Sequence, residues 1–475
     1  MSAANDLPGP RLPVFVQTLA YGLRQVEFYE WCHRRYGDVF AVHLPGDSYE
    51  VVLAHPAAIK AALALGPDDF TAAAIAPVLE PFLGSRSLLL LDGERHKRER
   101  KQLVHSLHGA AMSEYADVIA EVTRREVASW PTGRTFKLHP RMQAITLDVI
   151  AQLIFGADDE LRIALIDALR PWLTAGGSML LLWEGFRKDL HGLSPWARFV
   201  KQRSRIDALL DAHIEARRAD PSLHERHDAL SLLLQEDEPL DPLSLRDQLM
   251  TMLAAGHDTS ATALGWAFSL LLRHPEVLGR LVAEIDGGAG DDYLDAVVKE
   301  VLRLTPVVTG IGRALTHDVV VNGTLLPAGV SASPSILLAQ RRADAYADPL
   351  TFQPERFLGR PADPHTWLPF GGGVRRCIGA AFATLEIKTV LRTVLATVDL
   401  EPVGRMDRPR RRAVTMIPSH GTRVRVVRRR GQSRSSADSA VSINVGSTES
   451  WSTKSAAAGE PSASASAAST TDAAV

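Results

Sequence analysis

Residues 370–377 read Phe-Gly-Gly-Gly-Val-Arg-Arg-Cys, with Ile378 and Gly379 directly after. Cys377 is one of two cysteines; the other, Cys32, lies far upstream. A cysteine taken alone is most often a small core hydrophobe. Around Cys377, however, a leading aromatic, a glycine run, two arginines and a following glycine coincide. Glycines admit backbone conformations and close approaches that a side chain would block. Arg375 and Arg376 can lower a thiol pKa and favour the thiolate, the form that binds metal. Gly379 would let a helix start close against a flat ligand, its N-terminal N–H groups aimed at the sulfur.

Other groups with chemistry lie upstream. Glu300 and Arg303, in Lys-Glu-Val-Leu-Arg, are three apart and share one helical face. Alone, such a pair is usually a solvated surface pair, but Phe352-Gln-Pro-Glu-Arg-Phe357 follows it. Ala255-Gly256-His257-Asp258-Thr259-Ser260 places a glycine, an acid and hydroxyl residues inside a long helical pattern from about Ser244 to Arg273. These are locally unfavourable in a helix interior and, without context, mark a tolerated helix–helix contact. In Gly93-Glu-Arg-His-Lys-Arg-Glu-Arg-Lys, His96 and Arg100 are four apart and share a face. Lys97, Arg98 and Lys101 point elsewhere, either as ordinary solvated charges or as a docking patch for an acidic partner.

The spacing FxxGxRxCxG, met by Phe370, Gly373, Arg375, Cys377 and Gly379, resembles the haem-binding signature of the cytochromes P450. The upstream motifs fall in that family's order, and the resemblance spans roughly residues 8–430. It implies that Cys377 is the axial ligand of the haem iron, donating electron density that favours O–O cleavage. It places Phe370, Arg375 and Gly379 at the cofactor, with His96, Arg100, Arg313 and Arg375 directed at the haem propionates. The family more often has tryptophan at position 96. Glu300, Arg303 and Arg356 are implied to form a buried structural network. Asp258 and Thr259 are implied to be catalytic, delivering protons from the oxygen-activating helix; Ser260 replaces a frequent second threonine. His257 is not read as a metal ligand.

The resemblance implies a mainly α fold with a small β region, a triangular helical prism with haem b between the long helix and the cysteine loop. It implies a monooxygenase that inserts one atom of dioxygen into a hydrophobic small molecule: a terpenoid, steroid or fatty acid. Electrons would come from a separate ferredoxin and ferredoxin reductase, with NAD(P)H used only indirectly. Two alternatives stand beside it, a peroxide-driven peroxygenase and a non-catalytic haem sensor. The Asp258-Thr259 pair argues against both. The segments Thr71–Gly84, Pro171–Phe186 and Pro306–Gly312 are read as pocket lining or simply as core, with Glu80 and Glu184 as acidic exceptions.

The elements that must hold these residues are mostly helical. From 92 to 300, apolar residues recur at three- and four-residue spacing. Strand-like pieces occur at Val39–Leu44, Tyr49–Ala54, Asp318–Leu326 and Thr422–Val427, and Asn322-Gly323 forms a tight-turn pair. With 46% hydrophobic residues the 475-residue chain can bury a large core, and its net charge of −2 argues against a nucleic-acid binder. Two distant cysteines point to a reducing compartment rather than a disulfide scaffold. The run Gln248–Leu272 carries His257 and Asp258, costly in lipid, so a buried helix is expected rather than a transmembrane segment. No secretory signal pattern opens the chain. The expectation is a cytoplasmic, monomeric protein with a 1–430 catalytic domain and a disordered Ser/Ala-rich tail at 431–475.

Overall fold

The computed structural model describes residues 7–430, apart from 46–47, 73–75, 108–110, 157–159, 177–186, 190 and 289. The segment expected to be a disordered tail therefore lies outside the described residues. Helices predominate, with small sheets around them, as expected.

Seven helices position the site or its surroundings: α1 (Val14–Leu23), α2 (Gln25–Tyr36), α3 (Gly93–Ser106), α4 (His139–Phe155), α5 (Pro242–Leu271), α6 (Asp292–Leu304) and α7 (Ala380–Thr397). The 30-residue α5 starts where Asp241 accepts a hydrogen bond from the Ser244 N–H and Pro242 occupies the first turn. An acceptor at the N-cap and a proline at the first position both satisfy what a helix start leaves open. The helix begins and ends two residues earlier than the sequence pattern suggested. It is packed against α4, α6 and α7, so most of its surface is buried. Gly256 has a packing reason: a Cβ there would come within 2.9 Å of Ile150 Cδ1 on α4.

Twelve strands among the described residues build the sheets. A five-stranded sheet runs in the order β1 (Val39–Leu44), β2 (Ser48–Leu53), β8 (Ser331–Pro334), β5 (Arg313–Leu315), β3 (Phe70–Thr71). Strand β4 (Thr135–Lys137) pairs with β12 (Arg423–Arg429), which pairs with β9 (Val398–Pro402). Hairpins β6–β7 (Val319–Val321, Thr324–Leu326) and β10–β11 (Pro409–Arg412, Thr415–Pro418) complete the set. At the β6–β7 turn Asn322 and Gly323 have φ of 48° and 81°, the paired positive values that a tight hairpin turn needs. Cys32 is fully buried among Phe28, Tyr29 and Phe40, as a core hydrophobe.

Candidate active site

The cysteine loop is held by its glycines. Gly371 and Gly373 have φ of 68° and 63°, a region that side chains disfavour. A Cβ at Gly373 would fall 2.2 Å from the Leu63 carbonyl oxygen, and one at Gly372 2.7 Å from Leu63 Cδ1. The Cys377 N–H donates to the Phe370 carbonyl at 2.9 Å, closing the loop, and α7 starts just past Gly379. Cys377 is exposed, yet desolvation by the surrounding protein raises its pKa, as at the floor of a recess. The Gly379 N–H, Arg100 and Arg376 oppose that rise without overcoming it.

This corrects one expectation. Arg375 does not act on the thiol, because its guanidinium is committed elsewhere. It donates to Asp92 Oδ1 at 2.6 Å and to the carbonyls of Leu88 and Leu91 at 3.1 and 2.5 Å. Arg100, four residues after His96, does reach the loop and donates to the Arg376 carbonyl at 2.6 Å.

The structure brings the four expected propionate ligands together. Arg313 and Arg375 lie over the same Phe70 ring, 4.6 and 5.8 Å from its centroid. Burial pushes the Arg313 pKa down to about 10, and Arg375 pushes it the same way. His96 is lowered to about 4 by burial and then by Arg375 and Arg100. Arg313 donates to the Ala62 and Gly372 carbonyls, while its buried Nε finds no hydrogen-bond partner. Arginines crowded around a buried, orphaned Arg313 donor are costly unless a further anion joins them. A Cβ at Gly379 would meet no protein atom within 4 Å, so the protein leaves open the space beside the thiol. These residues fit a flat, dianionic haem ligated by sulfur.

On α5, Thr259 Oγ1 donates to the Ala255 carbonyl at 2.7 Å. Ala255 is exposed and Thr259 half-buried on a helix that is otherwise largely enclosed, so this stretch faces open space. The helix stays continuous through it. Asp258, on the flank of this stretch, is taken up by neighbouring elements: Gln143 Nε2 donates to it at 2.9 Å, Thr415 Oγ1 at 3.2 Å, and Arg412 forms an ion pair with it. Burial alone would raise its pKa, but Arg412 above all holds it below the usual carboxylate range. His257 is buried against Thr146, and burial lowers its pKa to about 4, which keeps it neutral.

Glu300 and Arg303 on α6 are fully buried and joined at 2.6 and 2.8 Å. Arg356 Nε donates to Glu300 at 3.1 Å, and Arg303 also donates to the Gln340 and Pro349 carbonyls. Phe370 is half-buried edge-on to Trp367. Lys97, Arg98 and Lys101 are exposed on α3.

Four residues near the site were not singled out from sequence. Asp92, Gln143 and Arg412 act through distant pairings that no local pattern announces. Glu386 on α7 is different: it is fully buried, burial raises its pKa to about 8, and the Ser260 hydroxyl beside it only partly offsets that rise. A charge amid the apolar spacing Phe382, Leu385, Ile387, Val390 was the available signal.

Comparison with known proteins agrees with this geometry. The family profile described as cytochrome P450 matches residues 7–424. The Mycobacterium tuberculosis protein named cytochrome P450 135B1 is 42% identical over 432 residues, covering 88% of this chain and 91% of the relative. Cytochrome P450 138 of the same species is 38% identical, covering 89% and 96%. A solved structure of cyanobacterial CYP120A1 with retinoic acid bound superposes with a TM-score of 0.78 at 26% identity, covering 89% and 99%. The haem domain of cytochrome P450DA superposes at 0.79 with 22% identity, a likeness of fold. The fold and site thus define a haem-thiolate monooxygenase. This chain belongs to the cytochrome P450 family.

Proposed function

We propose that this chain oxidises an apolar small molecule, of the terpenoid, steroid or fatty-acid class, using electrons from a separate ferredoxin and its NAD(P)H-dependent reductase. The observation that carries the reading is the open stretch of α5 at Ala255 and Thr259, in the same protein as an accessible Cys377 thiol beside a cationic cluster. Haem bound through a thiolate supplies dioxygen cleavage and C–H oxidation. Cys377 Sγ would hold its iron. Arg313, Arg100, Arg375 and His96 would hold the propionates, with Arg375 sharing its charge between Asp92 and that group.

Thr259 Oγ1 offers a hydroxyl on the open stretch of α5, and Asp258, held ionised by Arg412, relays protons from water rather than supplying one of its own. The Glu300–Arg303–Arg356 network anchors the segment before the cysteine loop and touches no substrate. Asp258 beside Thr259 favours a dioxygen-using enzyme over a peroxygenase or a sensor, neither of which needs proton delivery there.

The apolar substrate class is supported by the composition of Pro306–Gly312, whose side chains are small or aliphatic. The first of the superposable structures binds retinoic acid, itself a terpenoid. Glu80 is exposed on the described surface, whereas 177–186, with Glu184, lies outside the described residues. The chain acts as a monomer in the cytoplasm. No helix among the described residues is long and apolar enough to cross a membrane.

The test is a spectral titration of the ferric protein against hydrophobic and polar compound sets. Displacement of water from the iron by apolar terpenoids, steroids or fatty acids is the expected result. Shifts caused only by polar compounds would overturn the substrate class. Product formed with peroxide but never with a ferredoxin system would turn the reading to a peroxygenase.

A further inference from the structure

Helix α1 is built with its polarity reversed. Its sequence, VFVQTLAYGL, contains no charge, and the one side chain it buries completely is Gln17. That amide is fully used: Nε2 donates to the Pro10 and Leu12 carbonyls at 3.0 and 2.8 Å, and Oε1 accepts from the His43 N–H. The large apolar side chains face outward instead. Phe15, Leu19 and Leu23, spaced by four, are 66%, 56% and 75% exposed. Trp31 extends the same apolar surface, and a groove of about 460 Å³ runs between α1 and α2 along Leu19, Leu23, Phe28 and Trp31. Scattered surface leucines are ordinary, but an apolar stripe on a helix whose polar residue points inward is a contact surface.

Arginines surround the stripe. Arg11 precedes α1 and Arg24 caps its C-terminus, both exposed. Strand β10 packs beside α1, carrying exposed Arg410 and half-buried Arg411, whose guanidinium lies 4.0 Å over the Tyr21 ring. Arg11, Arg24 and Arg410 make no ion pair with any described residue, and Glu27 is the one acid lining the groove.

We propose that α1 and its arginine rim form a docking surface for an anionic lipid bilayer, on which the protein lies without spanning it. Ten residues of helix are too short to cross and are suited to lie in the plane of the headgroups. The stripe offers few side-chain hydrogen-bonding groups to a protein partner. A second copy is disfavoured because a two-fold contact would bring the same arginines face to face. Acyl chains would cover Phe15, Leu19 and Leu23 while phosphates meet Arg11, Arg24 and Arg410.

Full-length haem-loaded protein should be sedimented with vesicles of phosphatidylcholine alone and of phosphatidylcholine with phosphatidylglycerol. Binding is expected to the anionic vesicles, falling as salt rises. Arg11→Glu/Arg24→Glu/Arg410→Glu should lower partitioning by about 10²-fold or more, at roughly fivefold per arginine. Phe15→Ser/Leu19→Ser/Leu23→Ser should lower it by about tenfold per residue. Unchanged melting temperature and haem content would establish that both variants are folded. If the serine variant does not fold, the arginine variant, which alters only exposed side chains, carries the test. Failure to bind either vesicle would overturn the proposal, as would equal binding to both. So would a wild-type dimer that the serine variant abolishes.

Discussion

Asp258 and Arg412 lie 154 residues apart in the chain and meet as an ion pair, joining α5 to the β10–β11 hairpin. The pair decides the charge of the acid next to Thr259, because burial alone would favour the neutral carboxyl. Gln143 and Thr415 complete its hydrogen bonding. The acid is therefore held ionised on the flank of the helix beside the open stretch.

Arg412→Ala should destabilise the protein by about 1–3 kcal/mol at neutral pH, since a carboxylate loses its charged donor. In the parent the folded pKa of Asp258 is lowered, so its stabilisation is full above the unfolded value and is lost as pH falls through the folded one. In the variant burial dominates and raises the folded pKa, so the penalty shrinks as pH falls through that raised value. Urea denaturation across acid pH should show the gap between the two proteins narrowing. A gap that widens toward acid pH would mean that Arg412 does not hold the carboxylate charged.

Glu300→Gln should cost about 3–5 kcal/mol, because it leaves the fully buried Arg303 without its counter-charge. Haem content and melting temperature should fall together. Full stability in the variant would show that the carbonyls of Gln340 and Pro349 suffice for Arg303.

Much of this was legible in the sequence, and for local reasons. The cysteine loop, the Glu300/Arg303 spacing and the Asn322-Gly323 hairpin are short patterns whose geometry follows from neighbouring residues. The long helix could be placed from its apolar pattern between Ser244 and Arg273, whereas the Asp241 cap and Pro242 start, two residues earlier, were not read from it. What sequence could not show is how side chains far apart choose partners. Arg375 found Asp92 instead of the thiol, and Arg412, one of three consecutive arginines, selected Asp258. Gly256, read through its place in the dioxygen motif, also has a plain packing role against Ile150.

Charge reversal at Lys97, Arg98 and Lys101 should slow reduction by an acidic ferredoxin and spare substrate affinity. All three are exposed, and such charges steer encounter while salt screens them over about 10 Å at 0.1 M. The parent's electron-transfer rate should fall with ionic strength. A salt-independent rate, unaltered by the triple change, would move the docking site elsewhere.

Thr259→Ala should leave haem binding and substrate binding intact while lowering the product formed per NAD(P)H consumed, with hydrogen peroxide released instead. In the resting structure the Thr259 hydroxyl donates to Ala255, so it must turn to serve the open side. General acid catalysis by a positioned group contributes about 10²–10⁴-fold, and water in the vacated space should recover part of that. Tight coupling in the variant would remove Thr259 from proton delivery.

The most direct test of the whole account is the spectrum of the reduced carbon monoxide complex, compared between the parent and Cys377→Ser. The parent should show the red-shifted Soret band of thiolate-ligated haem, and the variant should lose it. Cys32→Ser, altering a thiol buried in the core, should keep it. A Cys377→Ser protein that retained the red-shifted band would contradict the assignment of Cys377 as the haem ligand.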